Sequence, residues 1–146
     1  MYKKLLFLGV FLWIAVNSFA DNINATIEIN GITVNGGQVY VAIYSNETDH
    51  KNENPYISFI LESTSSNLSH SLELPEGEYV VSIFQDRNND GRLNQTIFWI
   101  PTEHVGITNY NLRGAPGNFN MLKVPVNNNS TRIIVNIGRV RALGII

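Results

Sequence analysis

Apolar and polar side chains alternate strictly along several stretches of the chain after residue 20. From Ile23 to Ile29, apolar residues occupy every odd position and polar residues every even position. Residues two apart lie on the same face of a β-strand, so this spacing buries one face and exposes the other. A helix would instead need apolar residues every three or four positions. The pattern therefore predicts β-sheets.

Turn residues divide the chain into short β-rich runs, of which residues 23–29 alternate most strictly. The predicted strands are residues 23–29, 39–44, 56–61, 68–74, 78–85, 119–126 and 131–137. The last two are predicted to form a hairpin around residues 127–129, whereas residues 95–117 connect two strands without a clear strand of their own. Short strands separated by turns, with no convincing amphipathic helix, are typical of a sandwich or small barrel.

The N-terminus has the layout of a secretory signal peptide. Lys3 and Lys4 precede an apolar run over residues 5–16, and Ser18 and Ala20 place small residues before a cleavage point. The apolar run is shorter than the roughly 20 residues that a membrane-spanning helix needs. We therefore predict a leader over residues 1–20, a single β-sandwich domain over residues 21–146, and no transmembrane span after cleavage. The apolar tail, residues 139–146, with its two arginines, is either a frayed end or a docking strand.

Charge and cysteine content narrow the functional classes. Removing Lys3 and Lys4 leaves eight basic against 12 acidic residues, a formal charge of −4 without any basic cluster. This composition does not favour nucleic acid as a partner. The chain contains no cysteine, so neither disulfides nor acylation of an N-terminal cysteine can operate. Burial of apolar side chains, helped by a bound ion if one is present, must stabilise the fold.

The middle of the chain resembles known families. The run Leu74-Pro75-Glu76-Gly77-Glu78-Tyr79 resembles the transthyretin-like and collagen-adhesin B-type sandwiches. Residues 83–94 and 100–109 that follow are similar to a family of exported bacterial proteins catalogued as a domain of unknown function (number two-one-four-one). The resemblance covers essentially all of residues 21–146. It implies an all-β, about seven-stranded antiparallel β-sandwich, transthyretin-like or immunoglobulin-like, in the periplasm or secreted.

Three positions depart from that family. Gln85 stands where members commonly carry histidine, and Asn94 stands where aspartate is frequent. Trp99 replaces a glycine that usually precedes the Ile-Pro pair, which predicts a different backbone path there. The family offers no activity that could be transferred, so the resemblance implies fold and compartment rather than function.

The segment that follows the fifth predicted strand has oxygen-bearing side chains at alternate positions. Asp86, Asn88 and Asp90 precede Gly91, a spacing that lets a short loop wrap a hard cation such as calcium. The position of the usual bidentate glutamate is Ile97. The remaining candidate ligands are the Arg92 carbonyl, Asn94 and Glu103. With few anionic ligands, we expect a Kd on the order of 10⁻⁴ to 10⁻³ M. The alternative is a metal-free loop whose Asp and Asn side chains accept hydrogen bonds from their own backbone.

Residues 95–117 form the second candidate site. Long connections within small domains are frequently functional, and this one contains Trp99 and Tyr110. An exposed Trp99 beside Tyr110 would offer a stacking platform to a glycan or to an envelope protein. The alternative is that these aromatic residues close one end of the core.

Catalytic signals are weak. The three histidines, His50, His70 and His104, lie in separate segments without metal-binding spacing. Glu103 beside His104 is the one adjacent acid and base, and neighbouring side chains on a strand point to opposite faces. We therefore predict a non-catalytic binding or structural module of the bacterial cell envelope. The alternative is an envelope hydrolase that uses Glu103 and His104 near a bound ion.

Overall fold

The computed structural model describes residues 21–142, so the predicted leader lies outside the described residues. Eight strands and two short helices follow one another along this part of the chain. Their bounds are β1 Asn22–Asn30, β2 Gln38–Tyr44, α1 Glu47–Lys51, β3 Ile57–Leu61, β4 Asn67–Pro75, β5 Gly77–Asp86, β6 His104–Ile107, α2 Phe119–Leu122, β7 Val124–Val126 and β8 Arg132–Asn136.

The strands form two sheets. The smaller has the order β4-β1-β8, and the larger has the order β3-β2-β5-β6. Strand β7 lies on the same edge of β5 as β6, where it pairs with the first residues of β5 while β6 pairs with the last. Strand β5 is therefore the centre of the larger sheet, and the segment between β6 and β7 passes over the outer face of that sheet.

The alternating pattern of the sequence becomes the core of the sandwich. Ile27 and Ile29 of β1 are fully buried, as are Val41 of β2 and Ile83 of β5. These side chains belong to one apolar cluster that all the longer strands share. The predicted all-β sandwich is confirmed, because both inner faces contribute to a single core.

Residues at the end of β5 hold the turn between β1 and β2 in place. Gly37 has φ +100°, and a Cβ there would meet the carbonyl oxygen of Asp86 at 1.7 Å. Gln85 is fully buried and holds the same turn: its Oε1 accepts from the Thr33 N–H at 2.9 Å, and its Nε2 donates to the Thr33 carbonyl at 2.7 Å. The end of β5 is thereby locked in place, and the loop that follows it starts from a rigid point.

The structure differs from the sequence-based predictions in four places. Residues 95–117 do contain a strand, His104–Ile107, which makes eight strands rather than seven. The predicted strand over residues 119–126 is the short helix Phe119–Leu122 followed by the strand Val124–Val126. No final hairpin forms, because β7 pairs with β5 in one sheet and β8 with β1 in the other. Finally, β8 runs parallel to β1, so the sheets are not antiparallel throughout.

Within residues 21–142, no helix is long and apolar enough to cross a membrane. The two helices have five and four residues, and each begins with an asparagine whose side chain accepts from a backbone N–H of the first turn. Asparagine is a preferred residue at this position. Both helices therefore serve as capped turns between strands.

Candidate functional site

The Asp86 loop, residues 86–94, is closed by hydrogen bonds to a buried carboxylate. Asp86 is only 1% exposed, and its Oδ1 and Oδ2 accept from the N–H groups of Asp90 at 3.3 Å and Gly91 at 2.7 Å. Carboxylates that accept backbone hydrogen bonds satisfy N–H groups that a tight turn would otherwise leave without partners. Asp86 thus fixes the turn from within.

Glu103 holds the same loop from the other side. Its side chain is 5% exposed; Oε1 accepts from the Arg87 N–H at 2.8 Å and Oε2 from the Asn94 N–H at 3.2 Å. The two contacts lie near the two ends of the loop. Glu103 comes from the segment just before β6, so it ties that strand to the loop. Its first role in the structure is therefore to shape the backbone.

Asp90 lies at the exposed side of the loop, and its carboxylate accepts hydrogen bonds from amide groups. Asn88 and Asn94 both donate from Nδ2 to its Oδ2, at 3.0 and 2.9 Å, and the Arg92 N–H donates to Oδ1 at 2.9 Å. These hydrogen bonds, that from Asn94 foremost, lower the pKa of Asp90 below its ordinary value. Asp90 is therefore held in its charged form by the loop around it.

The loop carries carboxylate and amide oxygens, the kinds of ligand that calcium prefers. A half-turn of the Asn88 or Asn94 amide would place its carbonyl oxygen where the nitrogen now lies, beside Asp90 Oδ2. Asp86, Asn88, Asp90 and Asn94 could then offer oxygens together. The Arg92 carbonyl lies near this group, since Asn94 Nδ2 donates to it at 3.4 Å. Among the residues from 21 to 142, no three His, Cys, Asp or Glu side chains gather around one point.

A short hairpin, residues 95–101, leaves the Asp86 loop and carries large apolar side chains at its tip. Gln95 and Pro101 form its base as an isolated bridge, and Thr96 N–H donates to the Ile100 carbonyl at 2.8 Å. At the tip, the exposed fractions are 88% for Ile97, 75% for Phe98 and 82% for Trp99. We name this segment the aromatic hairpin.

Trp99 adopts the backbone conformation of a glycine. Its φ is +61°, in the left-handed region, and its N–H donates to the Thr96 carbonyl at 3.0 Å to close the turn. A residue with a Cβ pays roughly 1–2 kcal/mol for this conformation. The backbone at position 99 therefore takes a turn suited to glycine, and the tryptophan bears the strain, whereas the change of path relative to the family stays a prediction.

An apolar groove of about 610 Å³ runs beside the aromatic hairpin on the outer face of the larger sheet. Ser82 and Phe84 of β5 form its floor together with Val105 and Ile107 of β6, which are their partners in register. The two walls come from different parts of the chain. One wall is the aromatic hairpin, and the other consists of residues 114–116 with Val140 and Ala142.

Trp99 and Tyr110 have different environments although both line this groove. Tyr110 is partly buried, packs against the small apolar cluster around Phe119 and Leu122, and donates its hydroxyl to the Gly114 carbonyl. Burial raises its pKa. The structure thus places Tyr110 in the packing of the groove wall, whereas Trp99 is displayed to solvent.

The histidines lie apart. His70 stacks on Phe59 with ring centroids 4.3 Å apart, and His50 meets the ring of Tyr44 edge-on at 5.1 Å. The Nδ1 atom of His104 is buried and has no hydrogen-bond partner among the described residues. Burial lowers the pKa of His104, and the positive charges of Arg87 and Arg139 lower it further.

The proposed acid and base pair is not assembled as a hydrogen-bonded pair. Both carboxylate oxygens of Glu103 face backbone N–H groups, and His104 Nδ1 has no partner within residues 21–142. The register places His104 beside Gln85, whose side chain lies on the inner face of the sheet. Glu103 therefore faces the backbone of the Asp86 loop, whereas His104 lies next to Gln85.

The sequence analysis does not count Ile97 and Phe98 as binding residues, although they share the hairpin tip with Trp99. The signal was present: residues 97–100 are four consecutive apolar residues inside a polar connection. Alternation could not assign them, because a run without period two fits neither a half-buried strand nor a polar loop. Gln85 was likewise noted only for the histidine it replaces, and its contacts to Thr33 come from a segment 52 residues away.

The fold and the site define a small β-sandwich domain with a hydrogen-bonded Asp/Asn loop and an apolar groove on the outer face of its larger sheet. The model of the family described as "Uncharacterized protein conserved in bacteria (DUF2141)" matches residues 27–134. The chain belongs to this family, as its central motifs indicate. No curated protein and no solved structure matches the chain.

Proposed function

We propose that this protein is a non-catalytic binding module of the bacterial cell envelope that engages its partner with the groove and the aromatic hairpin. The observation that carries the proposal is Trp99, which is 82% exposed in a left-handed backbone conformation. Exposing a large aromatic side chain forgoes burial energy, and the conformation adds strain. Backbone strain of this kind concentrates at functional sites.

The composition of the groove supports ligand binding. Its lining is mainly apolar, with Phe84, Phe98 and Trp99 as aromatic members, and Glu53, Ser82 and Gln95 as polar members. Apolar clefts with a few polar groups are the usual form of ligand sites. A partner with an apolar face fits this chemistry, whether it is a side chain of an envelope protein or the face of a sugar ring.

Calcium is the second element of the proposal. The Asp86 loop leads directly into the aromatic hairpin, since Asn94 precedes Gln95 at the hairpin base. A cation held by Asp86, Asn88, Asp90 and Asn94 would supply positive charge that draws these oxygens together. The loop would then hold the hairpin base more rigidly, and the walls of the groove would stay in position for a partner.

A dye that fluoresces in apolar sites tests whether the groove accepts ligands. Anilinonaphthalene sulfonate has an aromatic body and one negative charge, so we expect it to bind and gain fluorescence. Ser82→Phe fills the floor of the groove and is expected to reduce dye binding by about tenfold, the effect of 1.4 kcal/mol. The matched control is Ser69→Phe, at an exposed position of β4 on the smaller sheet.

Two outcomes separate the alternatives. If the Ser82→Phe variant keeps its melting temperature and loses the dye while Ser69→Phe keeps it, the groove is a ligand site. If the folded Ser82→Phe variant and a Trp99→Ser variant both bind dye as well as the unchanged protein does, the groove and the hairpin are not the binding surface.

A further inference from the structure

The aromatic hairpin presents a convex apolar surface instead of a pocket. Ile97, Phe98 and Trp99 follow one another at its tip, and each is at least 75% exposed. The described residues include other exposed large apolar side chains, such as Ile134 at 52%, but no two of those are neighbours in the chain. Single exposed apolar residues are normal on soluble proteins, whereas a contiguous apolar projection marks an interaction surface.

Charge is segregated between the two parts of the chain that meet in this fold. Residues 21–90 contain 11 acidic and two basic residues, whereas residues 91–146 contain one acidic and six basic residues. The single acid of the second part is Glu103, which is buried against the Asp86 loop. Both walls of the groove come from this second, basic part. A negative partner would therefore be attracted to the hairpin side of the molecule.

Three arginines lie on the wall opposite the aromatic hairpin. Arg113 pairs with Arg141 as a bridge, in which the Arg141 N–H donates to the Leu112 carbonyl and the Gly114 N–H to the Arg141 carbonyl. Arg139 lies two residues before Arg141, and Val140 and Ala142, which alternate with them along the chain, line the groove.

Of the other three basic residues of this part, Arg92 lies beside Asp90, whose pKa its charge lowers, and the remaining two form ion pairs. Lys123 pairs with Glu78, and Arg132 makes a two-pronged pair with Glu28. Arg113, Arg139 and Arg141 are exposed, and none of them takes part in a salt bridge within residues 21–142. Their positive charge is thus available to a partner, and their long side chains can follow its surface.

We propose that the aromatic hairpin inserts its tip into the surface of an anionic phospholipid bilayer, while Arg113, Arg139 and Arg141 contact the headgroups. Trp and Phe side chains favour the membrane interface, and basic residues near the bilayer add attraction to anionic lipid. A second copy of this chain fits less well, because it would present the same basic half. The inference rests on the proposed function in treating Trp99 as part of a binding surface.

Tryptophan fluorescence can test the insertion directly. In the chain from Asp21 onward, which contains every described strand, Trp99 is the only tryptophan, because the other is Trp13. We expect its emission to shift to the blue with vesicles that contain phosphatidylglycerol, and to shift less with phosphatidylcholine alone. Lipids brominated on their acyl chains should quench Trp99, since quenching requires contact with the acyl region.

Variants then separate the contribution of the apolar tip to vesicle binding from that of the arginines. The double variant Ile97→Ser/Phe98→Ser keeps the Trp99 reporter and is expected to lose vesicle binding. Replacing each arginine by glutamine should weaken binding to anionic vesicles about fivefold, the effect of roughly 1 kcal/mol per basic residue near such a surface. Ile134→Ser, which removes an exposed apolar residue of β8, is the matched control and should bind unchanged.

The outcomes distinguish this inference from the proposed function. Vesicle binding by the Ser82→Phe variant, whose groove is filled, supports insertion of the tip without the groove. Dye binding by a protein whose Trp99 emission does not respond to any vesicle overturns the inference and leaves the groove as the binding site. A blue shift that depends on protein concentration without vesicles would assign the tip to self-association and would also overturn it.

Discussion

Glu103 illustrates how a single side chain can determine the shape of a loop. Each of its oxygens accepts one backbone N–H, from Arg87 and from Asn94. Glu103→Gln replaces one acceptor by an NH₂ group that faces an N–H donor, so that donor loses its partner. We expect the free energy of unfolding to fall by about 1–3 kcal/mol, the cost of a buried group without a hydrogen bond. Urea unfolding measures this change.

The control for this substitution is Glu73→Gln, which makes the same chemical change at an exposed position of β4. Its unfolding midpoint should match that of the unchanged protein. A Glu103→Gln protein as stable as this control would show that Glu103 does not hold the loop. The hydrolase alternative would gain only if Glu103→Gln abolished an activity without affecting stability.

At this scale the sequence predicted the members of the loop better than their roles. Asp86 and Glu103 were both identified as candidate ligands, and the structure does bring them to the same loop. Their burial could not be predicted, because it depends on how β5 and the segment before β6 pack together. The left-handed conformation of Trp99 was equally invisible, since only the backbone of the folded hairpin reveals it.

Calcium binding is a property of the whole Asp86 loop. If the loop holds calcium with the expected weak affinity, calcium at ten- to hundredfold above Kd should stabilise the native state by about 1–3 kcal/mol. The measurement is the melting temperature as calcium is raised to about 10 mM, which is roughly ten- to hundredfold above the expected Kd, with magnesium as the comparison. Asp90→Asn removes the exposed carboxylate and should abolish the increase, whereas Glu73→Gln should retain it.

If magnesium raised the melting temperature as much as calcium does, the calcium site would be rejected and the metal-free, hydrogen-bonded loop would remain. That result is physically reasonable as well, because Asp86 and Asp90 accept backbone N–H groups that by themselves hold the turn together. The comparison between the two cations is decisive because magnesium requires a stricter geometry and gives up its water less readily.

At the scale of elements, the sequence predicted the long strands and missed the short ones. The predicted runs at 23–29 and 39–44 lie within β1 and β2, because the first alternates strictly and the second is a β-branched and aromatic run that follows a turn signal. Strand β6 has four residues, one of them Gly106, and so shows hardly any period. The turn of helix at 119–122 is coded by its cap, Asn118, a local signal that the apolar run concealed.

At the scale of the whole molecule, the arrangement of the sheets lay beyond local patterns. Alternation shows which face of a strand is buried, but not which strand pairs with which. Strand β8 pairs with β1, and that pair joins residues about 106 positions apart, such as Asn30 and Asn136. The chain crosses from the larger sheet, where β7 lies, to the free edge of β1, and β8 runs parallel to β1 there.

Two partly buried histidines couple the stability of the whole fold to pH. Burial lowers the pKa of His50 and of His104 below the ordinary 6.5, and for His104 the charges of Arg87 and Arg139 act in the same direction. The unfolded chain therefore takes up protons at these positions at a higher pH than the native protein does. Because the unfolded state binds more protons in this window, the free energy of unfolding falls as pH is lowered below 6.5.

Urea unfolding at a series of pH values between neutrality and about pH 5 measures this slope before the carboxylates begin to titrate. His104→Gln should remove the part of the slope that His104 contributes, and His50→Gln/His104→Gln should flatten it further. A slope that is the same in the double variant as in the unchanged protein would contradict the assignment.

Both variants also test packing, because a glutamine at position 104 can offer a donor or an acceptor where the buried Nδ1 now has no partner among the described residues. A gain in stability at neutral pH together with a flatter slope would therefore show that the native sandwich tolerates His104 at a cost, and that this cost grows as the solution becomes acidic.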